Sequence, residues 1–125
     1  MAERLKVAID LDGTMWAHPE LFSEMARALK ARGHSVGILT ANHVSRERAN
    51  RTRLRKAGFL RPDFFISKTT EELMIPLRTW KPRVMRDFAN AVAAADHART
   101  RSSSQGGINR YARWGTHRPK RTTTA

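Results

Sequence analysis

Three short apolar runs, Lys6-Val7-Ala8-Ile9-Asp10-Leu11, Ser35-Val36-Gly37-Ile38-Leu39 and Asp63-Phe64-Phe65-Ile66-Ser67, are separated by stretches of helical periodicity. That alternation constrains the fold more than any other feature. Runs of this length, rich in branched and aromatic residues, read as buried strands. Strands joined through helices by short connections require a parallel sheet with right-handed crossovers. The first run ends in Asp-Gly, a turn signal. Leu21, Phe22, Met25 and Leu29 then fall at helical spacing behind Pro19 and Glu20, with Gly33 placed to end the helix in a left-handed cap. The second run ends at Thr40, and Ser45 is the expected N-cap of a helix reaching about Ala57 and closed by Gly58. Ala49, Leu54 and Ala57 are its expected inward positions. The third strand is expected over 63–67.

Beyond Ser67 the pattern loosens. Thr70 to Met74 suggests a helical turn broken by Pro76, and Lys81-Pro82 reads as a helix start with proline in first position, continuing through Ala-rich sequence to about Ala98. From Arg99 the chain is Arg, Ser, Thr and Gly with single aromatics at Tyr111 and Trp114, and is expected to be disordered. The expected organisation is therefore one small α/β core over 1–88 and a basic tail over 89–125.

Composition narrows the chemistry. The 125 residues contain no cysteine, which excludes disulfides, thiolate metal sites and thiol nucleophiles. Any metal must be held by oxygen or histidine. No apolar run approaches the roughly 20 residues that cross a bilayer, and the start MAERLKVAID lacks signal-peptide character, so a cytoplasmic protein is expected. The formal net charge is +13. Residues 1–88 hold 17 basic and 10 acidic residues, while 89–125 hold 7 basic residues and a single acid, Asp96. Such a bias suits either a solvated surface or attraction to polyphosphate and nucleic acid.

In an open parallel sheet, ligands bind beyond the carboxyl ends of the strands. The polar residues there are Asp10, Asp12 and Thr14 after the first strand, Thr40 and Asn42 after the second, and Ser67 and Lys68 after the third. Two neighbouring carboxylates repel unless a cation or proton lies between them. Mg²⁺ is the natural occupant, because it takes oxygen ligands and binds alongside substrate phosphate. One carboxylate can then attack phosphorus while the other exchanges protons.

The run Val7 to Thr14, an apolar strand ending in DxDGT, resembles the first motif of the haloacid dehalogenase (HAD) superfamily, and Ile38-Leu39-Thr40-Ala41-Asn42 is similar to its second. The resemblance covers residues 5 to about 88 and implies a three-layer, Rossmann-type parallel sheet, incomplete on its C-terminal side. It implies a Mg²⁺-dependent phosphatase with Asp10 as nucleophile and Asp12 as general acid and base, both at the metal, Asp12 through its backbone carbonyl. Thr40 would hydrogen-bond the phosphoryl oxygens, and Gly13, Thr14, Ala41 and Asn42 would complete the phosphate site. The motif lysine would be Lys81, between Trp80 and Pro82, with Lys68 as the alternative. The spacing leaves no room for an inserted lid domain, which in this family points to large or exposed phosphates, and Trp16 could overhang the pocket or pack under the following loop.

The family's fourth motif, a strand ending in acid, has no clear counterpart. Only Asp87, within the expected helix, and Asp96, after Ala93-Ala94-Ala95, follow Lys81. A fold kept for binding, an acid from a partner subunit and an altered reading frame after Phe88 all fit that gap. The alternative function is a catalytically weak, basic nucleic-acid-binding module. In it Arg46, Arg48, Arg51, Arg53, Arg55 and Lys56 contact phosphates, while Tyr111 and Trp114 are stacking candidates in the tail. The five histidines (18, 34, 43, 97 and 117) show no metal-ligand spacing. His43, near the expected pocket, is read as incidental.

Overall fold

A computed structural model describes residues 3–59 and 61–98, with side chains through Ala94. The chain divides into two compact units, one being Met1–Met74 and the other containing the last helix. The expected tail beyond Ala98 lies outside the described residues.

In the first unit, strands β1 (Lys6–Asp10), β2 (Ser35–His43) and β3 (Phe65–Lys68) form a parallel sheet in the order β1-β2-β3. Helix α1 (Pro19–Ala31) connects the first pair, and helix α2 (Glu47–Lys56) the second. This is a small α/β layout compatible with a Rossmann-like arrangement. In register, Val7 pairs with Val36, and Ile9 with Ile38, which itself pairs with Phe65. Strand alternation puts these residues on one face, where Ile9, Val36, Ile38 and Phe65 join Ala26 of α1 and Leu54 of α2 in one core cluster.

Both crossover helices end as glycine placement predicts. Gly33 and Gly58 have φ of 91° and 90°. Gly33 N–H donates to the Lys30 carbonyl and His34 N–H to that of Leu29, while Gly58 N–H donates to Arg55 and Phe59 N–H to Leu54. These are paired Schellman bonds, which satisfy carbonyls that a helix end leaves orphaned. In the second cap Phe59 and Leu54 are both buried, so the turn is also anchored in the core.

Several sequence expectations shift. On α1, Leu21 and Met25 are exposed, and the inward stripe runs through Phe22, Ser23, Ala26 and Leu29. On α2, Ala49 is exposed and Asn50 is buried, because Leu54 fixes the inward face and the residue four positions earlier shares it, whereas the residue five earlier does not. Ser45 does not cap α2. A short tight turn, Val44–Arg46, precedes the helix, and His43 accepts the Ser45 N–H through its side chain. Strand β2 continues through His43, and β3 covers Phe65–Lys68 rather than 63–67.

The segment just before β3 is also tied to β2. Asp63 acts as a clasp: its Oδ2 accepts the Val36 N–H at 2.8 Å, its own N–H donates to the Val36 carbonyl at 2.8 Å, and its Oδ1 lies 3.5 Å from Lys30 Nζ. Val36 is fully buried. Asp63→Ala should therefore strand a buried N–H and lower unfolding free energy by about 1–3 kcal/mol, measurable by urea denaturation. A neutral result would show that water replaces the carboxylate.

Helix α3 (Leu77–Ala98) begins four residues before the expected start, so Lys81-Pro82 lies inside it. Thr79 and Trp80 N–H both donate to the Pro76 carbonyl, opening the helix there. Pro82 then forfeits only the bond to the Arg78 carbonyl, and both residues are exposed, so water can satisfy that group. Trp80, Val84, Phe88, Ala91 and Val92 form its buried stripe. The stretch Val92 to Asp96 is helical, so the C-terminal part up to Ala98 supplies no further strand.

Candidate active site

The carboxyl ends of the three strands meet on one edge of the sheet, as parallel topology requires. At β1 the chain leaves Asp10 and turns tightly through Leu11–Met15. Leu11 and Met15 are fully buried and pin the two sides of this turn, while Asp12 and Gly13 between them are exposed. The backbone is extended at Asp12 (φ −71°, ψ 128°) and left-handed at Gly13 (φ 79°). A side chain at position 13 would meet no neighbour within 4 Å, so glycine is called for by backbone conformation and not by crowding. Thr14 closes the turn: its carbonyl accepts from Ala17 and His18, and that of Leu11 accepts from Trp16. Asp10 is half-buried and Asp12 solvent-facing, so one turn presents two carboxylates in different environments.

At β2, Thr40 is fully buried and its Oγ1 accepts the Asn42 N–H at 3.1 Å. The hydroxyl thus braces the irregular end of β2. Ala41 and Asn42 are half-buried there. The ladder between β2 and β3 is irregular from Leu39 to His43, where the strands diverge from simple pairing.

At β3, Ser67 and Lys68 are both buried, Lys68 with 8% exposure. Ser67 Oγ has no hydrogen-bond partner among the described residues. Asp10 pairs with Leu39 and Leu39 with Ile66. Alternation then puts Asp10, Ile66 and Lys68 on the same face. Two strand spacings and an offset of two residues put the Asp10 and Lys68 Cα atoms on the order of 12 Å apart, a gap that a phosphoryl group and an extended lysine can bridge. Lys81 is half-buried in the second turn of α3, in the other compact unit, and Asp87 is exposed on the same helix.

Two contacts near this edge were not legible as interactions. His43 Nδ1 accepts from the Ser45 N–H at 3.1 Å, and its Nε2 lies 2.8 Å from Thr70 Oγ1. His43 is therefore a strut from the end of β2 to the Thr70–Glu72 turn. That turn is closed by a capping box between Thr69 and Glu72. Trp16 carries the Arg53 guanidinium over its ring at 4.0 Å and packs against the core cluster, which ties the β1 turn to α2. The only sequence signal for either contact is the residue type.

Among the described residues no three of His, Asp and Glu converge to hold a metal ion, and no helix is long and apolar enough to cross a membrane. No family model, curated protein or solved structure matches the chain.

Proposed function

We propose that the chain is a Mg²⁺-dependent phosphohydrolase of the HAD type, acting through a phosphorylated Asp10. What supports the reading most is the Asp10-Leu11-Asp12-Gly13-Thr14 turn at the carboxyl end of β1, level with the polar ends of β2 and β3. A carboxylate at that position is a nucleophile held by a strand, and therefore well aimed.

In the first step an Asp10 oxygen attacks phosphorus, an acyl-phosphate bond forms, and the bond to the leaving oxygen breaks as Asp12 donates a proton to it. In the second step Asp12 takes a proton from water as the water attacks the same phosphorus, releasing inorganic phosphate and restoring the Asp10 carboxylate. Solvent exposure suits Asp12 for both transfers. The Thr40 hydroxyl and the Ala41 N–H at the end of β2 would orient the phosphoryl oxygens.

Mg²⁺ usually keeps several waters and is held by one or two carboxylates together with substrate phosphate. The Asp10 carboxylate and Asp12 carbonyl fit such a water-rich site, and the lack of a third converging acid among the described residues argues against a tight one. When bound, Mg²⁺ would neutralise charge on the phosphate. A lysine would share that task, Lys81 by its sequence context and Lys68 by strand register.

Phosphate release from an aryl phosphate should require millimolar Mg²⁺ and stop with chelator. One of Lys68→Met and Lys81→Met should lose about 100-fold or more in kcat, the scale of one removed electrostatic donor, while the other stays within tenfold. Chelator-insensitive turnover, or full activity in both variants, would contradict the proposal.

A further inference from the structure

A groove of about 650 Å³ lies along the C-terminal half of α2 and the loop that follows it, lined by Arg51, Leu54, Arg55, Gly58, Phe59, Arg61 and Pro62. In a parallel sheet the helix after β2 runs back toward the amino ends of the strands, so this groove is at the far end of the sheet from Asp10. We infer that it is a binding site for the backbone of a single-stranded nucleic acid, independent of the phosphatase reading.

Charge is the first ground. Residues 48–62 hold six basic residues and no acidic one. Arg51 is paired with Glu47 at 2.9 Å and stacked over Phe65 at 4.7 Å, which fixes one guanidinium at the groove wall. Arg55 and Arg61 are exposed and make no ion pair among the described residues. The nearest chain acid in sequence, Asp63, is already engaged by Val36 N–H and Lys30. Two of the groove's three arginines, Arg55 and Arg61, therefore have no carboxylate partner among the described residues.

Shape is the second. Leu54, Gly58, Phe59 and Pro62 make an apolar floor between the arginines, and the loop bearing them is held in place. Arg27 Nη2 donates to the Gly58 carbonyl at 3.3 Å, and Lys30 Nζ donates to the carbonyl of Arg61. Guanidinium forks at the rim match phosphate oxygens in pairs, and the accessible Gly58 and Pro62, with buried Leu54 and Phe59 packed beneath them, leave an uncharged edge for a sugar or base. A duplex keeps its bases stacked inside, so the combination fits a single strand. Exposed Arg48 and Lys56 add positive charge on α2, which suits a ligand whose charge repeats.

The test is fluorescence anisotropy of a labelled oligothymidylate of about 20 nucleotides with the full chain, titrated at several salt concentrations. Arg55→Gln/Arg61→Gln should weaken binding at least tenfold and reduce the slope of log affinity against log salt by about 1.4, two single-strand contacts at about 0.7 each. Arg4→Gln/Arg32→Gln removes equal charge from exposed positions elsewhere and should change affinity less than twofold. Equal losses in the two variants, no binding by the wild-type chain at low salt, or equally tight groove-dependent binding of an oligoglutamate would each overturn the inference.

Discussion

Asp10→Asn should abolish phosphate release, with kcat down at least a thousandfold and secondary structure unchanged by circular dichroism. The amide keeps the size of the carboxylate but lacks the anionic oxygen that would attack phosphorus. A thousandfold is about 4 kcal/mol of transition-state stabilisation at about 1.36 kcal/mol per decade, the scale expected when a covalent route closes and only positioning remains. Strand β1 should tolerate the change, because its register is set by backbone pairing with β2 and by the buried Ile9 and Leu11 on either side of Asp10. Asp12→Asn tests the other role. It should slow turnover less for an aryl phosphate, whose leaving group needs little proton assistance, than for an alkyl phosphate. Equal activity of wild type and Asp10→Asn would end the phospho-Asp10 account.

The largest effect on stability is expected at Gly37. A Cβ there would lie 2.3 Å from Cδ2 of Phe64, 2.4 Å from Cγ and 2.5 Å from Cε2, all well inside contact distance. The ring cannot easily retreat: Phe64 is 2% exposed, and its carbonyl accepts the Ile38 N–H at 2.9 Å. Gly37→Ala should therefore cost about 3 kcal/mol, the upper end of ordinary overpacking. For a chain this small that lowers the melting temperature by more than about 10 °C. Phe64→Leu in the same chain should restore part of the loss by making room, a favourable coupling in a double-mutant cycle. An unchanged melting temperature, or no rescue, would show that Phe64 moves aside freely.

Gly37 and Phe64 show how far the sequence carries. The order of strands and helices was legible because each short apolar run is bounded by turn residues, and Gly33 and Gly58 mark the helix ends through a conformation that favours glycine. The close approach of Gly37 to Phe64 was not, since it depends on two segments meeting 27 positions apart. The same limit explains α2, where Asn50 rather than Ala49 faces inward: burial follows the geometry set by Leu54, not polarity. Pro82 misled because proline usually marks a helix start, yet within an exposed second turn it removes a single bond.

The candidate site divides in a similar way. Asp10, Asp12, Gly13 and Thr40 could be named because chemistry at strand ends has few suitable residue types. The contacts that brace them, His43 to Thr70 and Arg53 over Trp16, join separate segments and carry no pattern in the chain. The missing acidic strand remains a feature of the described residues: α3 continues as helix through Asp96, where a strand would have been needed.

The most direct test is chemical trapping of the intermediate. Wild-type protein quenched during turnover of an aryl phosphate and reduced with borohydride should carry homoserine in place of aspartate at position 10, located by peptide mass spectrometry. The signal should be absent without substrate and absent in Asp10→Asn. Steady phosphate release with Asp10 unmodified, or modification at another carboxylate, would contradict the account.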